Sequence, residues 1–312
     1  MYIYRAKTYY HLMIILLYLK EEQYNVLYIE DSNLVILSKK LVELGFFKKV
    51  IYLNDSKLEN IYFRMLITIY KSIVFQVLHK LYAKNNMTII TPQHNIHGKL
   101  FNEFIKCKNI ILLEDGQYSY KKVINNRINS LYTNSIYKKV INKYFLTIYN
   151  PNIEKFIFCN KDKLSKNLGK EFKLIKNKIK EINIDNEILN LSIKKRNIFI
   201  ELFFNDMSIV NSSKSIIILT QPNLDESIIL LFEYYINKYL KEGYMIFLKE
   251  HPREDINSYD RIINKYNIKS INKFFPFELL LLLNIEFNIG ITYNSTAIFS
   301  DIIKTRIIIG ND

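Results

Sequence analysis

The stretch 215–252, "SIIILTQPNLDESIILLFEYYINKYLKEGYMIFLKEHP", holds one complete unit of an alternating fold. "SIIILTQP" is a short, continuous apolar run closed by a proline, the pattern of a strand buried on both faces. "DESIILLFEYYINKYLKEG" places apolar residues at helical spacing, opens on acids and stops at Gly243. Those are the start and stop signals of an amphipathic helix. "YMIFLKEHP" is a second buried strand. Strand, helix and strand in this order make a crossover between parallel strands.

The same alternation extends both ways. Downstream, "YDRIINKYN" (259–267) predicts a helix and "IKSIN" (268–272) a short strand. "PFELLLLLN" (276–284) predicts a helix with proline in its first turn, and "EFNIGITYN" (286–294) a strand. "STAIFSDIIKT" (295–305) predicts a helix opened by hydroxyl residues, and "RIIIG" (306–310) a last strand. Upstream, strands are expected at "MYIYRA" (1–6), "YNVLYIED" (24–31), "KKVIYL" (48–53), "MTIITP" (87–92) and "NIILLED" (109–115). Helices are expected at "TYYHLMIILLYLKEEQ" (8–23), at 58–83 and at 97–107. Such alternation predicts an α/β fold with parallel sheets and helices on both faces. The middle, about 117 to 210, is rich in Lys, Asn and Ile and poor in turn signals. Within it, "KDKLSKNLGKEFKLIKNKIKEI" (161–182) reads as a solvated basic helix or connector, or as a face for a partner or membrane. The expected organisation is a first Rossmann-like domain over 1–125, a helical connector over 126–212 and a second Rossmann-like domain over 213–312.

Composition sets the outer limits. The chain has 312 residues, 49 % hydrophobic and 24 % charged, which is globular and excludes a disordered chain. Its formal charge is +14. The abundance of Ile, Asn, Lys and Tyr reads as codon bias of an AT-rich genome, which weakens any inference from that charge. A basic surface suits nucleic acid, anionic lipid or an anionic sugar nucleotide. Nucleic-acid binding calls for a contiguous Lys/Arg stripe, and these lysines are spread along the chain. Cys107 and Cys159 are isolated and lack metal-ligand spacing, so the reading is a reducing cytosol and no zinc site. No signal peptide is evident, and "HLMIILLYL" is too short to span a bilayer.

Four segments fall at predicted strand ends or helix starts, where open α/β sheets place ligands. In "YNSTA" (293–297), Asn294, Ser295 and Thr296 open a helix; they either cap it or hold an anion such as phosphate. In "PFELL", Glu278 begins a helix and either satisfies that terminus or accepts from a ribose diol. In "KEHPRE" (249–254), His251 precedes Pro252, which restricts the backbone before it. A histidine there is a turn residue or a proton donor to a leaving group, with Lys249 and Arg253 attracting phosphate. In "LEDGQYS" (113–119), Glu114 or Asp115 ends a strand, either as part of an Asp-Gly turn or as an acid at the ligand edge. Asp225 in "TQPNLDES" (220–227) stands where a helix N-cap stands.

Taken in order, "EDG", "KEHPRE", "PFELL" and "YNSTA" resemble the bacterial sialyltransferases of the GT-B fold, which share an acid-acid-Gly motif, a His-Pro motif and a downstream Ser/Thr pair. Glu278 lies 27 residues and Ser295 lies 44 residues after His251, in keeping with that pattern. The opening "RAKTYYHLMIILLYLKEEQYNVLYIED" and the segment "TQPNLDES" are similar to glycosyltransferase family 52, which includes lipooligosaccharide sialyltransferases. The resemblance covers about 1–125 and 215–305.

That resemblance implies two Rossmann-like domains facing a cleft, and transfer of sialic acid from CMP-sialic acid to a glycan hydroxyl with inversion. It implies no metal and no cofactor beyond the donor. His251 takes the role of general acid or phosphate stabiliser. Ser295 and Thr296 hold the phosphate, Glu278 the ribose or cytosine, and Lys249 and Arg253 help electrostatically, with Asn294 and Pro252 in the same donor-binding set. The base is Asp225 in the family 52 reading and Asp115 in the acid-acid-Gly reading, with Asp225 slightly favoured. One departure is Glu250, where relatives often carry a small residue or proline. Cytoplasmic location, peripheral contact with the inner membrane, a lipooligosaccharide or capsule acceptor and a homodimer are further expectations. A related transferase with another nucleotide sugar is the alternative.

Overall fold

The computed structural model of the chain describes residues 1–19, 24–52, 88–92, 109–115, 152–204, 214–222, 224–254 and 259–309. They form two compact units, Met1–Asn183 and Ile184–Asp312, each built on one parallel sheet. The helices expected at 58–83 and 97–107 lie outside the described residues.

The first unit runs β1 (Tyr2–Ala6), α1 (Tyr9–Tyr18), β2 (Asn25–Ile29), α2 (Val35–Glu43), β3 (Lys49–Tyr52), β4 (Thr88–Pro92), β5 (Asn109–Leu113), β6 (Ile153–Phe158), α3 (Lys161–Leu168) and β7 (Ile179–Glu181). The sheet order is β3-β2-β1-β4-β5-β6-β7, with every pairing parallel. The five strands expected here are present. The middle departs from expectation. The stretch taken as a helical connector supplies β6 and β7 to the first sheet, and "KDKLSKNLGKEFKLIKNKIKEI" breaks at Gly169, whose φ of +56° ends α3. Its apolar residues Leu164, Leu168 and Ile175 are buried in the core with Phe156 and Phe158. Its lysines are exposed or half-buried, and Lys178 Nζ donates to the carbonyl of Ile153 (2.6 Å).

The second unit runs α4 (Ile184–Leu189), α5 (Ile193–Phe203), β8 (Ser215–Leu219), α6 (Glu226–Lys241), β9 (Met245–Lys249), α7 (Asp260–Tyr266), β10 (Lys269–Ile271), β11 (Phe287–Thr292) and β12 (Ile303–Ile308). Its order is β10-β9-β8-β11-β12, all parallel. All five residues of β8 are buried, as its unbroken apolar run requires. On α6, Phe232, Ile236 and Tyr239 recur at helical spacing and are buried. Each contributes about 1.5–3 kcal/mol of burial.

Two expected α-helices have another form. Phe277–Leu283 is 3₁₀-helical. Its buried residues pair at intervals of three, Phe277 with Leu280 and Leu279 with Leu282, which suits three residues per turn. "STAIFSDIIKT" forms only a 3₁₀ turn at Thr296–Phe299. Ser300 then turns extended, and the branched residues Ile303 and Thr305 enter β12, where branching favours the strand.

Candidate active site

Ligands of doubly wound sheets bind beyond the carboxyl ends of the strands, at the point where strand order reverses. In the second unit that point lies between β8 and β11. Register aligns the edge: Leu219 pairs with Lys249 on one side and with Thr292 on the other. The segments after these residues therefore leave the sheet at one level. Strands two apart are separated by about 10 Å, so the segment after β9 and the turn after β11 leave the sheet about that far apart, on either side of β8.

The segment after β9 is a tight turn. The N–H of Glu254 donates to the carbonyl of His251 (3.0 Å), with Pro252 at the second position, where proline favours such turns. The N–H of Arg253 donates to Nδ1 of His251 (3.1 Å). Nδ1 is thus an acceptor, and the proton of the neutral ring sits on Nε2. Among the described residues, none accepts from Nε2. Burial, then the cations Arg253 and Lys249, pull the His251 pKa down to about 4. At neutral pH the site holds a neutral imidazole with one N–H to offer.

A buried network fixes this turn. The carboxylate of Glu254, itself buried, accepts from the hydroxyl of Thr220 and from the N–H of His251. The Thr220 hydroxyl also accepts from the His251 N–H (3.1 Å). The Tyr259 hydroxyl hydrogen-bonds to Glu254 and Thr220, and burial together with the Glu254 charge raises its pKa. Glu250, the departure noted above, accepts from the Tyr259 N–H; burial raises its pKa first, and the Glu254 charge adds to this. Its side chain thereby ties the segment after β9 to the start of α7.

Lys249 is 8 % exposed. Burial lowers its pKa to about 8, against the pull of Glu278, Glu254 and Glu250, so it remains mostly charged at neutral pH. Its Nζ donates to the carbonyl of Lys273 (3.1 Å), and the Nζ of Lys273 donates to the carbonyl of Glu254 (2.8 Å). Glu278, half-buried in the first turn of the 3₁₀ segment, is the nearest counter-charge by effect on Lys249. Lys249, His251, Arg253 and Glu278 thus belong to one electrostatic site.

Beyond β11, Asn294 and Thr296 are exposed and Ser295 is half-buried. The hydroxyl of Ser295 makes no capping bond. The N–H of Ser295 is used internally, donating to Thr292 Oγ1 (3.0 Å), while the Thr292 hydroxyl donates to the carbonyl of Leu219 (2.8 Å). A four-residue 3₁₀ turn has little dipole, so the anion site expected of a helix start reduces to the hydroxyls. The turn packs onto β11 at Gly290, where a Cβ would come within 2.7 Å of Ile298 and 2.8 Å of Ile303. Its far end is held by Asp185, whose Oδ2 accepts from the hydroxyl of Ser300 (3.0 Å) and the N–H of Asp301 (2.7 Å).

The two candidate bases stand in different units. Asp225 is exposed at the N-cap position of α6, yet its side chain makes no cap bond; its carbonyl accepts from Ile228 and Ile229 instead. Asp115 follows β5 in the first unit. Its Oδ1 lies 2.8 Å from Nε2 of His11. Glu114 is buried, and its Oε2 accepts from the N–H of Cys159 (2.7 Å), which leaves it a structural part. Sequence reasoning missed His11, Thr220, Glu254, Tyr259 and Asp185. Glu254 carried a usable signal, as an acid two residues beyond Pro252 that has to be paired once buried. Among the described residues, no group of three or more His, Cys, Asp or Glu could hold a metal ion.

No family model matches the chain. A curated but uncharacterized protein of Haemophilus influenzae is 28 % identical over 221 residues, covering 66 % of this chain and 63 % of that protein. The match therefore spans less than two thirds of that relative. Many solved structures are similar in fold, three of them as follows. The GT-B domain of a sialyltransferase from Photobacterium damselae has a TM-score of 0.58 at 14 % identity, covering 97 % of this chain and 89 % of that one. A 2,6-sialyltransferase from Photobacterium sp. JT-ISH-224, in complex with CMP and lactose, has 0.56 at 16 %, covering 98 % and 71 %. A UDP-GlcNAc 2-epimerase from Neisseria meningitidis has 0.55 at 13 %, covering 96 % and 79 %. The chain has the α/β fold of the GT-B glycosyltransferases, with two parallel sheets.

Proposed function

We propose that this chain is a glycosyltransferase that moves sialic acid from CMP-sialic acid to a galactoside hydroxyl of a bacterial surface glycan, lipooligosaccharide or capsule. The reaction proceeds with inversion and without a metal. The observation that carries the reading is His251: a neutral imidazole with Nδ1 occupied and Nε2–H on offer, set by a buried network among cations. CMP departs as a phosphate monoester, and its developing charge needs a donor and a positive field. His251 supplies the donor, and Lys249 and Arg253 supply the field. An anionic phosphate bound there accepts from Nε2–H and favours a protonated ring by its charge; the ring takes that second proton at Nδ1 once the Arg253 N–H has let go of it. Ser295 and Thr296 offer hydroxyls to the phosphate, with Asn294 beside them, and Glu278 accepts from the ribose or the cytosine. Pro252 keeps the turn.

The fold likeness to sialyltransferases, one of them bound to CMP and lactose, supports this reading. So does the order of the four motifs. Action at the cytoplasmic face of the inner membrane and a homodimer belong to the same proposal. Among the described residues, no helix is long and apolar enough to cross a membrane. The fold is also that of an epimerase acting on UDP-GlcNAc, and a transferase using another nucleotide sugar is the second reading. A donor screen separates them. CMP-sialic acid and UDP-GlcNAc are each supplied with and without galactosides, and products are weighed by mass spectrometry. Sialylated galactoside supports the proposal; conversion of UDP-GlcNAc alone overturns it.

A further inference from the structure

His11 stands at the carboxyl edge of the first sheet, and its place there assigns it a task. It lies in the first turn of α1, directly after β1, while Asp115 follows β5. The order β1-β4-β5 puts the end of β4 between them. The pair therefore bridges the reversal point of the first sheet, the counterpart of the site in the second.

Its geometry is fixed from both sides. The N–H of Lys7 donates to Nδ1 of His11 (3.3 Å), and the N–H of His11 donates to Oγ1 of Thr8 (3.2 Å). With Nδ1 an acceptor, the ring proton of neutral His11 lies on Nε2 and points to Oδ1 of Asp115 at 2.8 Å. His11 is 1 % exposed and the Asp115 side chain 10 %. A ring so covered touches no substrate, so it acts only through its partner. Among the described residues, other titratable groups stand at this edge, including the buried pair in which Arg5 Nε donates to Glu30 and the Tyr9 hydroxyl near Asp31. Glu114 accepts from the Cys159 N–H, and the Tyr10 hydroxyl meets Cys159 Sγ at 3.8 Å.

We propose that His11 is a positioning residue: its Nε2–H fixes the orientation of the Asp115 carboxylate and keeps it ionised, so that Asp115 rather than Asp225 receives the proton of the acceptor hydroxyl. A carboxylate in a covered site tends to protonate, and a donor bonded to its charged form opposes this. This inference rests on the transferase reading in naming the acceptor. The hydrogen-bonded pair itself is independent of it.

The test uses the full chain with ¹³C-labelled aspartate carboxyls, Asp115 assigned through Asp115→Asn, in wild type, His11→Leu, His11→Gln and His11→Asn. Glutamine keeps a donor near the Nε2 position, and asparagine is too short to do so. Carboxyl titrations by NMR are read beside the pH profile of kcat/KM for transfer. The expected result is an Asp115 titration, and an acid limb of the profile, moved to higher pH in His11→Leu and His11→Asn. Their kcat falls about tenfold or more with CMP affinity unchanged, and His11→Gln lies near wild type. An Asp115 titration and acid limb identical in all folded variants overturns the proposal, as does full transfer by Asp115→Asn. If the titration moves while the wild type transfers no sugar from any donor, the hydrogen-bonded pair stands, and both the transferase reading and the base role of Asp115 fail.

Discussion

Two histidines stand at the carboxyl edges of two parallel sheets, and each accepts a backbone N–H at Nδ1, from Lys7 in one case and Arg253 in the other. Both rings, when neutral, therefore carry their proton on Nε2. In His11 that proton is committed to Asp115 inside the fold. In His251 no described residue takes it, and the ring is half-buried among cations. The difference lies in what surrounds the ring. An anionic neighbour makes a histidine a fixture that serves its partner. A cationic surrounding makes it a neutral donor waiting for an anion.

The sharpest way to break this contrast is to remove the open ring. His251→Ala should lower kcat by about 10²- to 10⁴-fold, with CMP binding by calorimetry largely kept. Full turnover in that variant would leave His251 without a task. The next largest effect concerns its support. Glu254→Leu removes the acceptor shared by the Thr220 hydroxyl, the Tyr259 hydroxyl and the His251 N–H, leaving the last only Thr220 Oγ1, and should lower stability by about 2–4 kcal/mol in urea unfolding. It should also cost kcat even where the protein stays folded; an unchanged unfolding midpoint would show that the network does not hold the turn. Gly290→Ala tests the turn that carries Ser295 and Thr296. Overpacking against Ile298 and Ile303 should cost about 1–3 kcal/mol and raise KM for the donor more than it lowers kcat.

A further effect is in pH. Folded His251 has its pKa depressed to about 4 from an ordinary 6.5. Between these values the unfolded chain binds a proton that the folded protein refuses, so stability falls as pH drops through this window. His251→Gln should flatten that part of a melting-temperature profile over pH 4 to 6.5. An equal slope in both proteins would place the titration elsewhere.

Much of this fold is legible in the sequence because it depends on local pattern. Continuous apolar runs such as "SIIIL" and "NIILL" leave a buried parallel strand as the simplest solution, and α6 shows its period and its glycine stop. What is not legible depends on distant partners. β6 and β7 lie among lysines, and only pairing, of β6 with β5 and of β7 with β6, makes strands of them. The helix expected after β11 is cut short by Asp185, more than a hundred residues away in sequence. In the site, His251, Lys249 and Glu278 were visible because motif and strand end coincide. His11 was hidden in an apolar run, where it looks like core. The signal it gave was general: a polar ring in a fully apolar helix must find a partner, and 104 residues separate it from Asp115.

The central claim is that the His251 edge receives a CMP-linked sugar and releases CMP. The most direct measurement incubates the protein with CMP-sialic acid and a panel of galactosides, and weighs both products. The account predicts one CMP released for each galactoside that gains a sialic acid, with both products lost in His251→Ala. Intact CMP-sialic acid throughout, together with turnover of a uridine-linked sugar that survives His251→Ala, would contradict it.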